Sequence, residues 1–268
     1  MSRASAEPGF DPLGAPVSVL IDFDGTISQQ DVGDALLARF VADEAAVRAM
    51  DQRYVDGLAG SRELISWDMD VLPRDAALLA ESIDELALDE GIVDIVAVVR
   101  AVGGAVEIVS DGIGFHIERM LARLGLADLP VATNAVEPGR GAAGVTFPYG
   151  HPACHVCGTC KRERVRGHQR AGRAVVFIGD GPSDRYAAFH ADVVFAKASL
   201  ATWCAGEGIA FEPWGTLAEV ATWLETALAD GRLPPDAAAH QAWAAATRPT
   251  PERFMCGPEA WGERAPAG

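Results

Sequence analysis

The sequence predicts an α/β fold with a Rossmann-like parallel sheet and a helical segment inserted after the first strand, on three observations. Three short apolar runs, Val17–Ile21, Ala105–Val109 and Ala174–Ile178, are rich in β-branched residues. Each leads into acids or hydroxyls: Asp22-Phe-Asp24-Gly-Thr26, Ser110-Asp111-Gly112 and Gly179-Asp180-Gly-Pro-Ser-Asp184. Buried parallel strands read as unbroken apolar runs, and open α/β sheets bind ligands at the carboxyl ends of their strands. Between the first two runs, from Ser28 to about Leu88, the pattern is helical and no strand-like run occurs.

In chain order, Val17–Ile21 is the first strand. Asp31 is the expected N-cap of a helix carrying Val32, Leu36, Phe40 and Val41. Ser61 with Leu64, Ile65 and Met69 marks a second helix, and Pro73 with Leu78, Leu79 and Leu86 a third. An amphipathic helix near Ile92–Val102 stops at Gly103-Gly104 and feeds the strand Ala105–Val109. A helix around Phe115–Leu124 and a short strand near Pro130–Val136 follow, then a Gly-rich loop or hairpin from Gly139 to Gly150. After a cysteine cluster, the basic segment Lys161–Arg170 reads as helix and Ala174–Ile178 as a buried strand. The remaining expectations are a helix near Tyr186–His190, a strand at Val193–Ala196, a short helix Leu200–Ala205, a strand at Ile209–Phe211 and a helix Leu217–Leu228. Beyond Asp230 the chain is rich in Pro, Ala and Gly and reads as an extended tail.

With 268 residues and 49% hydrophobic content, the chain is long enough for a large α/β domain plus a smaller unit. A formal charge of −16 disfavours nucleic acid and anionic lipid as partners. No run reaches the roughly 18 apolar residues of a membrane span, and residues 1–16 lack a signal pattern, so a cytoplasmic location and no membrane partner are expected. Five cysteines, three of them at Cys154, Cys157 and Cys160, suit reduced thiols or metal better than a disulfide framework.

The chemistry lies where the strands end. Carboxylates at Asp22 and Asp24 point the same way along a strand, so without a cation or a shared proton one of them would stay protonated; a divalent metal removes that conflict. In a parallel sheet Asp22/Asp24, Ser110 and Asp180/Asp184 converge on one edge. Taken singly, each acid is ordinary turn chemistry.

Asp22-x-Asp24-x-Thr26, Ser110, Lys161 and Gly-Asp180-x-x-x-Asp184 resemble, in order and spacing, the signature motifs of the haloacid dehalogenase superfamily over roughly Val17 to Leu228. The resemblance implies that Asp22 attacks phosphorus to give an aspartyl-phosphate and that Asp24 serves as general acid and base. It implies that Thr26, Ser110, Asp111, Gly112 and Lys161 contact the phosphoryl group, and that Mg²⁺ is held by Asp22, Asp24 through its backbone carbonyl, and Asp180, with Asp184 behind them. An Asp at position 24 separates phosphate-ester chemistry from dehalogenases, which lack a carboxylate there. The resemblance divides the chain into a tail (1–15), a core (16–27 and 91–229, with a Gly/Cys-rich insertion at 137–160), a helical cap (28–90) and a second tail (230–268).

The early helical insertion is similar to the cap of the phosphoserine-phosphatase-like subgroup. Phe115-His116, the Cys160-Lys161 junction and Phe195-Ala-Lys197 look closest to the branch typified by the methionine-salvage phosphatase acting on 2-hydroxy-3-keto-5-methylthiopentenyl-1-phosphate. Members usually show Ser-Gly-Gly where this chain has Ser110-Asp111-Gly112, an extra carboxylate beside the phosphate pocket. Asp31 falls about where phosphoserine phosphatases carry a Glu that meets the substrate amine, while Ser66 lies near the place of their cap Arg. Asp31, Arg62, Trp67 and Phe115 are candidate specificity residues, with N-cap, solvated face and core packing as their alternatives. Cys154, Cys157 and Cys160 with His151 or His155 offer the ligands of a structural Zn²⁺; the alternative is reduced thiols packing the loop before Lys161.

The expected function is thus Mg²⁺-dependent hydrolysis of a small phosphorylated metabolite by a monomer or homodimer. A phosphomutase or phosphotransferase of the same fold, or a zinc-binding regulatory module without catalysis, are the alternatives. A retired site would be expected to lose at least one of Asp22, Asp24, Lys161 or Asp180, and all four are present.

Overall fold

Alternation along the first strand, β1 (Val17–Ile21), decides how the molecule is layered. Val17, Val19 and Ile21 enter one apolar cluster and Leu20 the other, so both faces of the strand are covered. This computed structural model describes residues 16–152, 154 and 156–230. The expected tails at 1–15 and 231–268 lie outside the described residues.

After β1 the chain forms four helices: α1 (Val32–Phe40), α2 (Glu44–Val55), α3 (Ser61–Val71) and α4 (Ala76–Asp84). Asp31 caps α1 by accepting from the Asp34 amide at 2.9 Å. The α2 helix was not individually expected, because it buries only Met50 and so lacks an apolar stripe; Asp43 at its N-cap is its sequence signal. The α4 helix begins after Asp75, whose carboxylate takes the amides of Ala77 and Leu78, and not at Pro73. The insertion leaves and re-enters the core at one place. Gln29 N donates to Ala87 O at 3.0 Å and Asp89 N to Ile27 O at 2.8 Å, around a bridge between Ser28 and Leu88.

Next come α5 (Gly91–Ala101), β2 (Ala105–Val109), α6 (Ile117–Arg123) and β3 (Val131–Ala132). The strand expected near Pro130–Val136 is interrupted. Its second part, β4 (Ala135–Val136), leaves the sheet to pair antiparallel with β5 (Val145–Thr146), which makes the Gly-rich stretch a hairpin. The break falls at Thr133 and Asn134, where Asn134 turns inward to donate to Gly112 O at 3.0 Å.

The last elements are α7 (Lys161–Arg170), β6 (Ala174–Gly179), α8 (Arg185–His190), β7 (Val193–Ala196), α9 (Ala198–Glu207), β8 (Glu212–Pro213) and α10 (Leu217–Asp230). The strand expected at Ile209–Phe211 starts later because Ile209 N closes the end of α9 on Cys204 O, behind Gly208 at φ 72°. Six strands form one parallel sheet in the order β3-β2-β1-β6-β7-β8. Helices α5, α6 and α10 and apolar residues of the insertion, among them Leu36, Ile65 and Leu79, cover one face as a continuous cluster; α7, α8 and α9 cover the other. Among the described residues no helix is long and apolar enough to cross a membrane.

One buried charge ties α7 to the sheet. Glu107, on β2 and 3% exposed, accepts from Arg164 at 2.6 Å and lies 2.7 Å from His168 Nε2. The other His168 nitrogen meets Ser18 of β1 at 2.9 Å. Contacts on residues four apart fix the rotation of α7, and with it the first residue of the helix, Lys161.

Candidate active site

Because β1 lies between β2 and β6, the segments following these strands meet at one edge. Asp22 is 5% exposed and Lys161 2% exposed. The Lys161 ammonium donates to Asp22 Oδ1 at 2.6 Å, Asp184 Oδ1 at 2.7 Å and Ser183 Oγ at 3.0 Å, which uses all three of its hydrogens. Burial alone would lower the Lys161 pKa, but Asp184 and Asp22 outweigh it and hold the ammonium above its ordinary value. Burial, then the Asp184 charge, raises the Asp22 carboxyl well above the usual range against the pull of Lys161.

Asp24 sits differently. One of its oxygens accepts from the Val32 amide at 3.1 Å and the other from Ser110 Oγ at 3.2 Å. Burial first, then neighbouring Asp31, pushes its pKa to about 8. His116 lies 3.9 Å away, buried and held neutral with its pKa lowered to about 3. The two acids of the motif therefore differ in partner, one facing a fixed cation and the other an amide and a hydroxyl, with burial pushing its carboxyl toward the protonated form.

Thr26 is placed otherwise than expected for a phosphate ligand: its hydroxyl donates to Asp180 Oδ1 at 2.9 Å. Asp184 accepts the amides of Asp180 and Gly181 at 3.0 Å each. Asp22, Asp180 and Asp184 each bring one carboxylate oxygen within 4.8 Å of the others; the carboxylate of Asp24 is not in this group. The Asp180 pKa is raised to about 6 by burial and then by Asp184. Three acids facing Lys161, with Lys197 acting on Asp180, still carry more negative than positive charge, and a set of carboxylate oxygens suits a hard divalent ion such as Mg²⁺. The residues fit that ion.

Asp111 borders the same cavity as Asp22 and Asp24, but its carboxylate is taken up by protein donors. Its oxygens accept from Ser61 Oγ at 2.6 Å, the Thr159 amide at 2.6 Å and Asn134 Nδ2 at 3.4 Å, so it joins β2, α3 and the loop before Lys161. Arg62 is not among the residues that line this cavity. Its guanidinium donates at 2.9 Å to the carbonyls of both Cys157 and Cys154 and covers the Phe147 ring. Trp67 and Phe115 pack against the core. Asp31 borders the cavity while capping α1.

The cysteine loop does not support the zinc expectation. Among the described residues, no three ligand atoms from Cys154, Cys157, Cys160 and His151 gather within 4.8 Å; His155 lies outside the described residues. Cys154 and Cys160 are buried. Ser61, Asn134, Thr159 and Ser183 were missed as site residues. Only Ser183 had a sequence signal, its place between Asp180 and Asp184, since the others act through contacts distant in sequence.

A parallel sheet that delivers a lysine-bound carboxylate and a second, hydrogen-bonded acid from one strand end, beneath a helical insertion, defines an α/β enzyme built for carboxylate chemistry. The chain belongs to the haloacid dehalogenase-like hydrolase family, which matches residues 19–188. It is 29% identical to the 2-hydroxy-3-keto-5-methylthiopentenyl-1-phosphate phosphatase of Exiguobacterium sibiricum, over 78% of this chain and 97% of that one. It is 30% identical to the protein of the same name from Brevibacillus brevis, over 67% and 82% respectively. Among solved structures, a phospho-aspartyl intermediate analogue of phosphoserine phosphatase matches with TM-score 0.58 at 19% identity, over 78% of this chain and 98% of that one. A probable phosphoserine phosphatase from Vibrio cholerae matches with TM-score 0.59 at 18% identity, over 82% and 68%. These two likenesses bear on the fold.

Proposed function

We propose that the protein is a Mg²⁺-dependent phosphomonoesterase acting on a small phosphorylated metabolite through an aspartyl-phosphate. The observation that carries this reading is the division between Asp22, 2.6 Å from the Lys161 ammonium, and Asp24, bonded two residues later to the Val32 amide and the Ser110 hydroxyl. The family match and the activity in the names of the curated relatives support it.

In this reading an Asp22 oxygen attacks phosphorus while the ester P–O bond breaks, and Asp24 gives its proton to the departing alkoxide. Asp24, now a carboxylate, takes a proton from water as that water attacks the phospho-Asp22; inorganic phosphate leaves and both acids return to their starting states. Lys161 holds Asp22 and offsets charge on the phosphoryl oxygens. Gly112 borders the pocket that receives those oxygens, with Ser110 behind it, bonded to Asp24 and to the Gly112 amide. Asp22 and Asp180, with the backbone of Asp24 and with Asp184 adjacent, would hold the Mg²⁺, which supplies charge neutralisation at the phosphate. Helices α1–α4 act as the cap that selects the ester.

The test is hydrolysis of p-nitrophenyl phosphate with Mg²⁺. Asp22→Asn is expected to reduce turnover by at least about a thousandfold and to abolish the phospho-enzyme, on the scale of losing a covalent nucleophile. Asp24→Asn is expected to slow both departure of the alcohol and attack by water. Equal rates in parent and Asp22→Asn would sink the covalent mechanism.

A further inference from the structure

The insertion meets the strand-end acids with acids of its own. Asp31, Asp34, Asp51 and Asp68 border the same cavity of about 500 Å³ as Asp22 and Asp24, with Leu37 and Ile65 supplying apolar wall.

Asp68, on α3, is the telling member. It is 5% exposed, lines this cavity, and its Oδ1 accepts no hydrogen bond from any described residue. A buried carboxylate without a partner is costly unless a ligand supplies one. Burial first, then Asp31, Asp51 and Asp34, raises its pKa to about 8, and no lysine or arginine opposes them. Nor do these four acids close on one ion. Among the described residues the group of three or more that gathers its ligand atoms within 4.8 Å is Asp22, Asp180 and Asp184. Carboxylates spread around a partly apolar cavity match an organic cation, whose alkyl stem meets the wall while its ammonium reaches the acids.

We propose that this cavity takes a phosphate monoester whose far end carries a positively charged amine and no carboxylate, with Asp68 as the principal seat of the amine and Asp31 and Asp51 beside it. The inference rests on the phosphomonoesterase reading, which places the phosphate at Asp22. It deepens that reading by naming the other end of the substrate. On the insertion's side of the cavity a carboxylate would meet these four acids and no lysine or arginine.

The experiment compares kcat/KM, with Mg²⁺, for 2-aminoethyl and 4-aminobutyl phosphate against ethyl and butyl phosphate, with phosphoserine as the carboxylate-bearing control and p-nitrophenyl phosphate as a check on the chemistry. The amine esters are expected to exceed their matched neutral esters by at least about tenfold, and to exceed phosphoserine, the scale of a charge-assisted bond to a buried acid. In Asp68→Asn the ratio of amine to neutral ester is expected to fall about tenfold. Asp51→Asn should move it the same way by less, which keeps the test usable if one variant folds poorly. Hydrolysis of p-nitrophenyl phosphate with an amine-to-neutral ratio near one in the parent, or a ratio unmoved in both variants, overturns the proposal. If the parent does not hydrolyse p-nitrophenyl phosphate, the phosphomonoesterase reading fails instead. Calorimetric titration with 1,4-diaminobutane then tests the amine seat alone: binding weakened in Asp68→Asn supports it, and absence of binding in the parent overturns it.

Discussion

Asp22, Asp24 and Asp68 show how far one side chain type diverges with its neighbours. Asp22 has a lysine, Asp24 has hydrogen bonds but no adjacent cation, and Asp68 has neither. For Asp68 this has a consequence for stability. Below about pH 4 its carboxyl is protonated folded and unfolded, and contributes nothing. Between that point and about 8 the unfolded chain releases the proton while the fold, burying Asp68 beside Asp31, Asp51 and Asp34, retains it. The raised pKa therefore costs stability as pH rises through this window. Asp68→Asn is expected to raise Tm at pH 8, by roughly 3 °C per kcal/mol regained, with the gain vanishing near pH 4. Thermal melts across that range, without ligand, check it, and a gain independent of pH would contradict the cause. Asp22, Asp24 and Asp180 were legible in the sequence because apolar runs announce them. Asp68 was not, since its meaning lies in a missing partner.

Helix α3 is held by what it touches outside the insertion. Ser61 bonds Asp111, and Arg62 binds the carbonyls of Cys154 and Cys157, in the loop that ends at Lys161. Arg62→Met removes the fork while keeping the stem. It is expected to speed modification of the buried thiols Cys154 and Cys160 by a thiol reagent at least about tenfold, the effect of about 1.4 kcal/mol less protection. An unchanged rate would mean that the loop stands without Arg62. The sequence located Arg62 on a helix but could not aim it: its partners are main-chain carbonyls almost a hundred positions away, and a carbonyl has no sequence signature. Elements were legible in proportion to what they bury. Strands β1, β2 and β6, covered on both faces, were read at their observed starts, whereas α2, with Met50 alone inside, and β8, two residues long, were not.

For the molecule as a whole, the excess of acid matters most where it is concentrated. A chain of net charge −16 that gathers Asp22, Asp180 and Asp184 around one lysine should gain stability from a divalent ion. At Mg²⁺ about a hundredfold above its Kd the linkage amounts to about 2.7 kcal/mol, a Tm rise of roughly 5 to 10 °C, reversed by chelator. Asp180→Asn should remove most of that rise, and a full rise in the variant would place the ion elsewhere. Fold class was legible from the order of apolar runs and helical periodicity, because a parallel sheet needs crossovers and β1 was followed by one far longer than a single helix. The convergence of strand ends followed from topology. The inward turn of Asn134 and the join at Asp111 did not, because both depend on packing between segments that no local pattern links.

The paired neck at Ile27–Gln29 and Ala87–Asp89 bears on how the chain finds its fold. Strand β1 must pair with β2 across the whole insertion, a closure that a disordered segment of that length would make slow. With the neck formed, the loop left to close runs only from Asp89 through α5 to Ala105, little more than one helix. An insertion whose ends are fastened together thus counts, for the kinetics of the sheet, almost as though it were absent.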